Sequence, residues 1–231
     1  MKTQRLRVTF TRGEDMKYVT HLDMMRFWER ALRRAQVPVT YSEGFSPHPQ
    51  IALAAPLAVG TTSDCELMDV FLDERMTPRA LIEALTQQVP PAITITSARE
   101  TGLALPSLQA EVRAAEYEVE APVPDGIDVE EAITELLAAE CFPWQHKRDE
   151  EMKSYDLRPL IIELELVSRD ADSVRLRMLL RNDSTLGAGR PEQVALALGL
   201  GAPTRTHRTK LVLAERSPAR EAYRKAGRYA S

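Results

Sequence analysis

Two cysteines, two tryptophans and an aromatic content of 6% leave this 231-residue chain without several common kinds of site. Cys65 and Cys141 stand far apart with no C-x-x-C near either, so neither a disulfide framework nor a cysteine-held zinc ion or iron–sulfur cluster follows. His21, His48, His146 and His207 show no H-x-x-x-H spacing, and metal binding is not expected. No apolar run approaches the roughly 18 residues of a membrane span. The opening Met1-Lys-Thr-Gln-Arg-Leu-Arg7 also lacks the apolar stretch of a secretory signal, so a cytoplasmic protein is expected. The glycine pairs in Leu186-Gly-Ala-Gly189 and Leu198-Gly-Leu-Gly-Ala202 match neither G-x-G-x-x-G after a strand nor a Walker sequence, which argues against a nucleotide cofactor. No cofactor is expected at all.

What is present is a globular composition, 44% hydrophobic and 28% charged, with an uneven charge distribution. Residues 1–40 hold nine Lys/Arg against four Asp/Glu, and residues 204–231 hold eight against two. The overall charge of −4 therefore conceals two basic ends around an acidic middle of −15. If the fold brings the ends together they form a surface for a polyanion; otherwise they are solvated termini with scattered arginines.

Hydrophobic period divides the chain into two copies of one pattern. Leu6, Val8 and Phe10 alternate with Arg5, Arg7 and Thr9, as in a strand with one buried face. Thr20 caps a helix with Asp23 three residues on, and Leu22, Met25, Trp28, Leu32 and Ala35 recur at helical spacing until Val37-Pro38. Strands follow near 50–57 and 66–72, then a helix from Thr77-Pro78 to Val89, then a strand at Ile93 and Ile95. After a connector at 101–111 the order repeats. A strand carries Tyr117, Val119 and Ala121, and a helix is capped by Asp128. Strands at 160–167 and 174–180 follow, then a short helix opened by Arg190-Pro191 and ended by Gly199, and a last strand at 210–213. The expected architecture is α+β: two tandem ferredoxin-like βαββαβ domains with antiparallel sheets, residues 1–100 and 112–216. A basic tail, 217–231, ends the chain.

On a helical wheel Arg26, Arg30, Arg33 and Arg34 form a stripe beside the apolar arc of the first helix, either a solvated face or one that contacts phosphates. The loop after it, Tyr41-Ser-Glu-Gly-Phe-Ser-Pro-His-Pro-Gln50, is stiffened by Pro47 and Pro49 and released by Gly44. It either displays Phe45 and His48 for stacking on unpaired bases and phosphate contact, or buries Phe45 in the core. In the second half Lys153–Ile161 occupies the same position. Arg158, held extended before Pro159 and oriented by Asp156, aims away from the sheet or forms a local salt bridge. A groove between the halves would receive both loops. His21 is the best candidate for an acid–base residue.

The segments Lys17–Arg34, Ser42–Pro49 and Asp156–Pro159 resemble the bacterial radical-SAM-linked domain, a family of unknown function, over nearly the whole chain. The resemblance implies a domain fused behind a radical SAM protein or encoded beside one, here the separate form. A weaker likeness is to the CRISPR repeat-processing endoribonucleases, which pair two ferredoxin-like domains and often use a histidine on the first helix, where His21 stands. The expectation is a non-catalytic RNA-binding adaptor that presents tRNA or ribosomal RNA to a radical SAM partner encoded nearby, with no DNA or membrane role. Lys17, the arginine stripe, Phe45, His48 and Arg158 would line its RNA groove. The alternatives are a metal-independent endoribonuclease using His21, and a protein-interaction module presenting Glu116, Glu118 and Glu120 to a basic partner.

Overall fold

A computed structural model describes residues 1–148, 151–183 and 185–214, without the side chains of residues 147 and 148. The expected basic tail at 217–231 lies outside the described residues.

The first half runs β1 (Gln4–Arg12), α1 (His21–Arg34), β2 (Ile51–Leu53), β3 (Thr61–Leu72), α2 (Pro78–Thr86) and β4 (Ile95–Thr101). Its strands lie in the order β4-β1-β3-β2, each pair antiparallel. A connector with one helical turn, α3 (Leu108–Glu111), leads to the second half. This comprises β5 (Val112–Pro122), α4 (Val129–Ala138), a hairpin of β6 (Pro143–Arg148) and β7 (Glu151–Asp156), β8 (Ile161–Arg169), β9 (Ser173–Asp183), the two-residue β10 (Gly187–Ala188), α5 (Pro191–Ala197) and β11 (Arg205–Leu213). Its main strands take the order β11-β5-β9-β8. The result is a mixed α+β chain with a large, mostly antiparallel sheet.

Two separate sheets are expected from the sequence, but the ladder continues across the halves. Thr206, His207 and Arg208 of β11 pair in parallel with Thr61, Thr62 and Ser63 of β3, joining everything except the β6–β7 hairpin into one nine-stranded sheet. Arg208 stands opposite Tyr117 on β5, and Glu66 stands opposite Phe10 on β1. Because Arg208 and Glu66 bond to each other, the two pairs share a face, and both sets of helices cover that same side of the sheet. One core gathers Leu6, Val8, Phe10, Trp28 and Leu81; the other gathers Val119, Ile133, Leu176 and Val194. A small third cluster, Ala54, Leu108 and Val112, seals the seam from the opposite face.

The caps appear where the sequence places them. Thr20 Oγ1 accepts from Asp23 N at 3.2 Å, Thr77 Oγ1 accepts from Ala80 N at 3.2 Å, and Asp128 Oδ1 accepts from Glu130 N and Glu131 N at 3.1 Å each. β1 departs from the expected single buried face, since Arg5 and Arg7 are both buried. The connector folds back over them. Asp69 bonds both guanidinium groups, Leu105 O and Pro106 O accept from Arg5 Nη1, and Glu111 accepts from Arg7 Nη1 at 2.6 Å. Two charges that the pattern assigns to solvent are thus structural.

Candidate nucleic-acid interface

The face of α1 that packs on the sheet buries Met24, Trp28, Ala31 and Leu32, with the Trp28 ring edge-on to Phe10 at 4.7 Å between centroids. That anchoring turns Arg26, Arg30, Arg33 and Arg34 to solvent, and Arg26, Arg33 and Arg34 with Arg30 form its outward row. Arg26 makes a loose pair with Asp23 at 3.4 Å. Arg30, Arg33 and Arg34 have no hydrogen-bond or ion-pair partner among the described residues. The remaining N-terminal cations differ. Arg12 is buried and clamps the approach to α1 through Met16 O at 2.9 Å and Lys17 O at 3.1 Å, and Lys17 is paired with Glu14 at 2.7 Å, which raises the ammonium's pKa. Arg30, Arg33 and Arg34 are therefore uncompensated charges of the basic N-terminus.

Thr40 N and the Val39–Leu72 bridge tie the chain after α1 to the end of β3, so the 41–50 loop stands at the C-terminal end of the arginine helix. The loop closes on itself through a Tyr41–Pro49 bridge and the bonds Ser42 N to His48 O at 2.9 Å and His48 N to Ser42 Oγ at 3.0 Å. Gly44 turns it at φ 128°, and Pro47 is exposed at its tip. Phe45 is fully exposed and His48 is exposed. Of the two readings of Phe45, burial in the core is excluded.

The corresponding segment of the second half is the β6–β7 hairpin, which the hydrophobic pattern does not disclose. Phe142 and Trp144 stack at 6.3 Å and His146 meets Tyr155 edge-on at 5.6 Å, on the side facing α5. Arg158 differs from both expectations. It opens a 3-10 turn with Pro159 and Leu160, and its guanidinium donates to Leu137 O at 3.1 Å and Ile161 O at 2.8 Å, bracing the end of α4. Asp156 accepts instead from the backbone N–H groups of Phe142 at 2.8 Å and Arg158 at 3.0 Å. Among the described residues no hydrogen bond, ion pair or ring contact joins the 41–50 loop to the 153–159 segment.

The cleft between the halves is lined by other residues: 56–61 from the first half, and Tyr117, Asn182, 188–192, 202–204 and Thr206 from the second, around a volume of about 700 Å³. Gly199 ends α5 at φ 76°, and Gly201 lies against Pro122, so these glycines serve the local turn. His21, the first residue of α1, shares a small cavity with Arg12 and Glu66 and makes no hydrogen bond through its ring among the described residues. Two of the three carboxylates of the acidic strand are engaged within the fold. Glu120 pairs with Arg175 at 3.3 Å and Arg205 at 3.2 Å, and Glu116 accepts from Thr209 Oγ1 at 2.6 Å.

Across the seam His207 Nδ1 lies 2.7 Å from Thr62 Oγ1 and its Nε2 lies 3.0 Å from Asp64. Beside them burial pushes the Cys65 thiol up to about 11. No local spacing announces this group, because β3 and β11 are brought together only by the sheet. Among the described residues no cluster of His, Cys, Asp or Glu could hold a metal ion, and no helix is long and apolar enough to cross a membrane.

Comparison with curated proteins finds no match. Similar solved structures include a Cbf5–Nop10–Gar1 complex (9% identity, TM-score 0.48, covering 91% of this chain and 49% of that one). Another is an H/ACA RNP bound to a substrate RNA containing 2′-deoxyuridine (10%, 0.44, 90% and 47%). A third is an archaeal box H/ACA sRNP Nop10–Cbf5 complex (11%, 0.43, 91% and 48%). The chain spans about half the length of the chains it matches there. A family match covers residues 5–188, from the first paired arginine of β1 to the end of β10, and on that match the chain belongs to the family described as "Uncharacterized protein conserved in bacteria (DUF2344)".

Proposed function

We propose that the chain is a non-catalytic RNA-binding adaptor, two ferredoxin-like units built into one sheet, that presents tRNA or ribosomal RNA to a radical SAM partner. One observation carries the reading: α1 holds three arginines without a carboxylate partner on its outward row, while the buried cations of β1 are satisfied internally. A stripe of unpaired guanidinium groups ending at a loop with an exposed aromatic ring suits a single-stranded backbone with splayed bases. Phosphates take the arginines, and Phe45 offers a stacking surface, with His48 beside it. Arg158 and Lys17, bonded within the fold, contribute little to this surface.

The test is single-stranded RNA binding at several salt concentrations. In Arg30→Glu/Arg33→Glu the affinity falls, and the salt slope drops by about 0.7 for each phosphate that is no longer neutralised. Unchanged affinity and slope would remove the stripe from the interface. RNA that stays intact through prolonged incubation separates this reading from cleavage through His21. Recovery of RNA and a radical SAM protein together with the chain from its own cells tests the adaptor role.

A further inference from the structure

We infer that Tyr18 is a second base-stacking platform. The arginine row of α1 then lies between two exposed rings, Phe45 at one end and Tyr18 at the other, and takes a single-stranded RNA segment rather than an isolated nucleotide. The inference deepens the RNA-binding reading and rests on it.

Tyr18 is 70% exposed, while Met16 and Val19 on either side of it pack against the core of the first half. The backbone that carries it is fixed from within. The buried Arg12 guanidinium donates to Met16 O at 2.9 Å, to Lys17 O at 3.1 Å and to Val19 O, and Gly60 N donates to Lys17 O at 2.8 Å. Three carbonyls around one exposed tyrosine therefore hang on a single buried side chain. A ring held in this way meets a ligand with little ordering left to lose. Lys17 stands against it: its ammonium, paired with Glu14 at 2.7 Å, lies 5.3 Å from the ring centre. That contact gives Lys17 a positioning role in place of a phosphate contact, and the exposure of the ring leaves a face open to a base.

The line of α1 supplies the rest. Leu22, Arg26, Arg30 and Arg33 succeed one another at intervals of four, four and three residues, and so share one face of the helix. Leu22 heads that row and is exposed, and Val59, next to the Gly60 that bonds Lys17 O, is exposed as well. Apolar side chains beside an aromatic ring suit bases and sugars, and the guanidinium groups suit the phosphates between them. With 14 residues α1 is about 21 Å long, so no single nucleotide touches both rings. A strand that reaches both makes the second contact at the high effective concentration set by the first.

Binding of oligouridylates of increasing length, followed by fluorescence anisotropy at several salt concentrations, tests this. In the wild type the affinity should rise with length until a strand reaches both rings. Tyr18→Ala is expected to lower the affinity for the longest strand about five- to 150-fold with no change in salt slope, because a stacked base and not a phosphate contact is lost. Tyr18→Phe, which keeps the ring, should bind like the wild type. A strand carrying 5-iodouridine at one terminus should crosslink to Tyr18, and one labelled at the other terminus to Phe45. Wild-type affinity in Tyr18→Ala, or labelled strands that never crosslink to Tyr18, overturns the inference, as does loss of a co-purified protein from Tyr18→Ala with RNA affinity intact, which would make the patch a protein contact. If Tyr18→Ala is neutral while Arg30→Glu/Arg33→Glu weakens binding, the helix stands and the platform falls. A wild-type protein that binds no strand of any length removes both.

Discussion

Asp69 holds two arginines at once, with Arg7 Nε donating to Oδ1 and Arg5 Nε to Oδ2 at 2.8 Å each, and all three side chains are buried. Removing the shared carboxylate leaves two buried cations with one remaining acidic partner, Glu111. Asp69→Asn should therefore lower stability by about 3–5 kcal/mol, read as a fall in the urea midpoint. Strand alternation alone does not reveal this, because Arg5 and Arg7 look like any outward row until the connector is folded over them. A signal was present in Leu67-Met-Asp-Val-Phe-Leu72, where one carboxylate interrupts an apolar run. The cysteines offer a second check. Cys65 is raised to about 11 by burial, whereas Cys141 is exposed. A thiol reagent at pH 8 should label Cys141 first, with Cys65 following only toward pH 11. Since the folded Cys65 is harder to ionise than the unfolded one, its contribution to stability is intact below about pH 9 and is lost as the pH rises through about 11.

The helices were legible from their caps and period, because Thr20, Thr77 and Asp128 act on backbone groups only two or three residues away. Thr20→Ala should cost about 1 kcal/mol and leave the arginine face in place, measurable as a modest loss in thermal stability with RNA binding retained. The β6–β7 hairpin was not legible, since it joins no other strand and its aromatic side is completed by α5, far along the chain. Arg158 shows the same limit. The Arg-Pro pair predicts extended backbone, yet the carbonyls of Leu137 and Ile161 hold the guanidinium in a turn. Arg158→Ala is expected to destabilise the fold by about 1–3 kcal/mol without changing RNA affinity, the opposite profile to Arg30→Glu/Arg33→Glu.

At the scale of the whole chain, the mixed α+β order of the main strands and helices could be read from hydrophobic period, but the extra strands of the second half and the seam could not. The pairing of Thr61–Ser63 with Thr206–Arg208 spans most of the chain and leaves no local trace. Calorimetry should register one cooperative transition, because the sheet, the Arg208–Glu66 bond and the Leu108 cluster all cross from one half to the other. Glu66→Gln, which weakens that link, should lower the midpoint or split the transition in two. The placement of β11 also bears on biosynthesis. The strand that completes the middle of the sheet is made about 140 residues after the edge it covers, a wait of roughly 7–28 s at ordinary elongation rates. Throughout that interval the nascent first half presents unpaired backbone to its surroundings, so the ribosome-bound intermediate is where a chaperone is needed and where aggregation would begin.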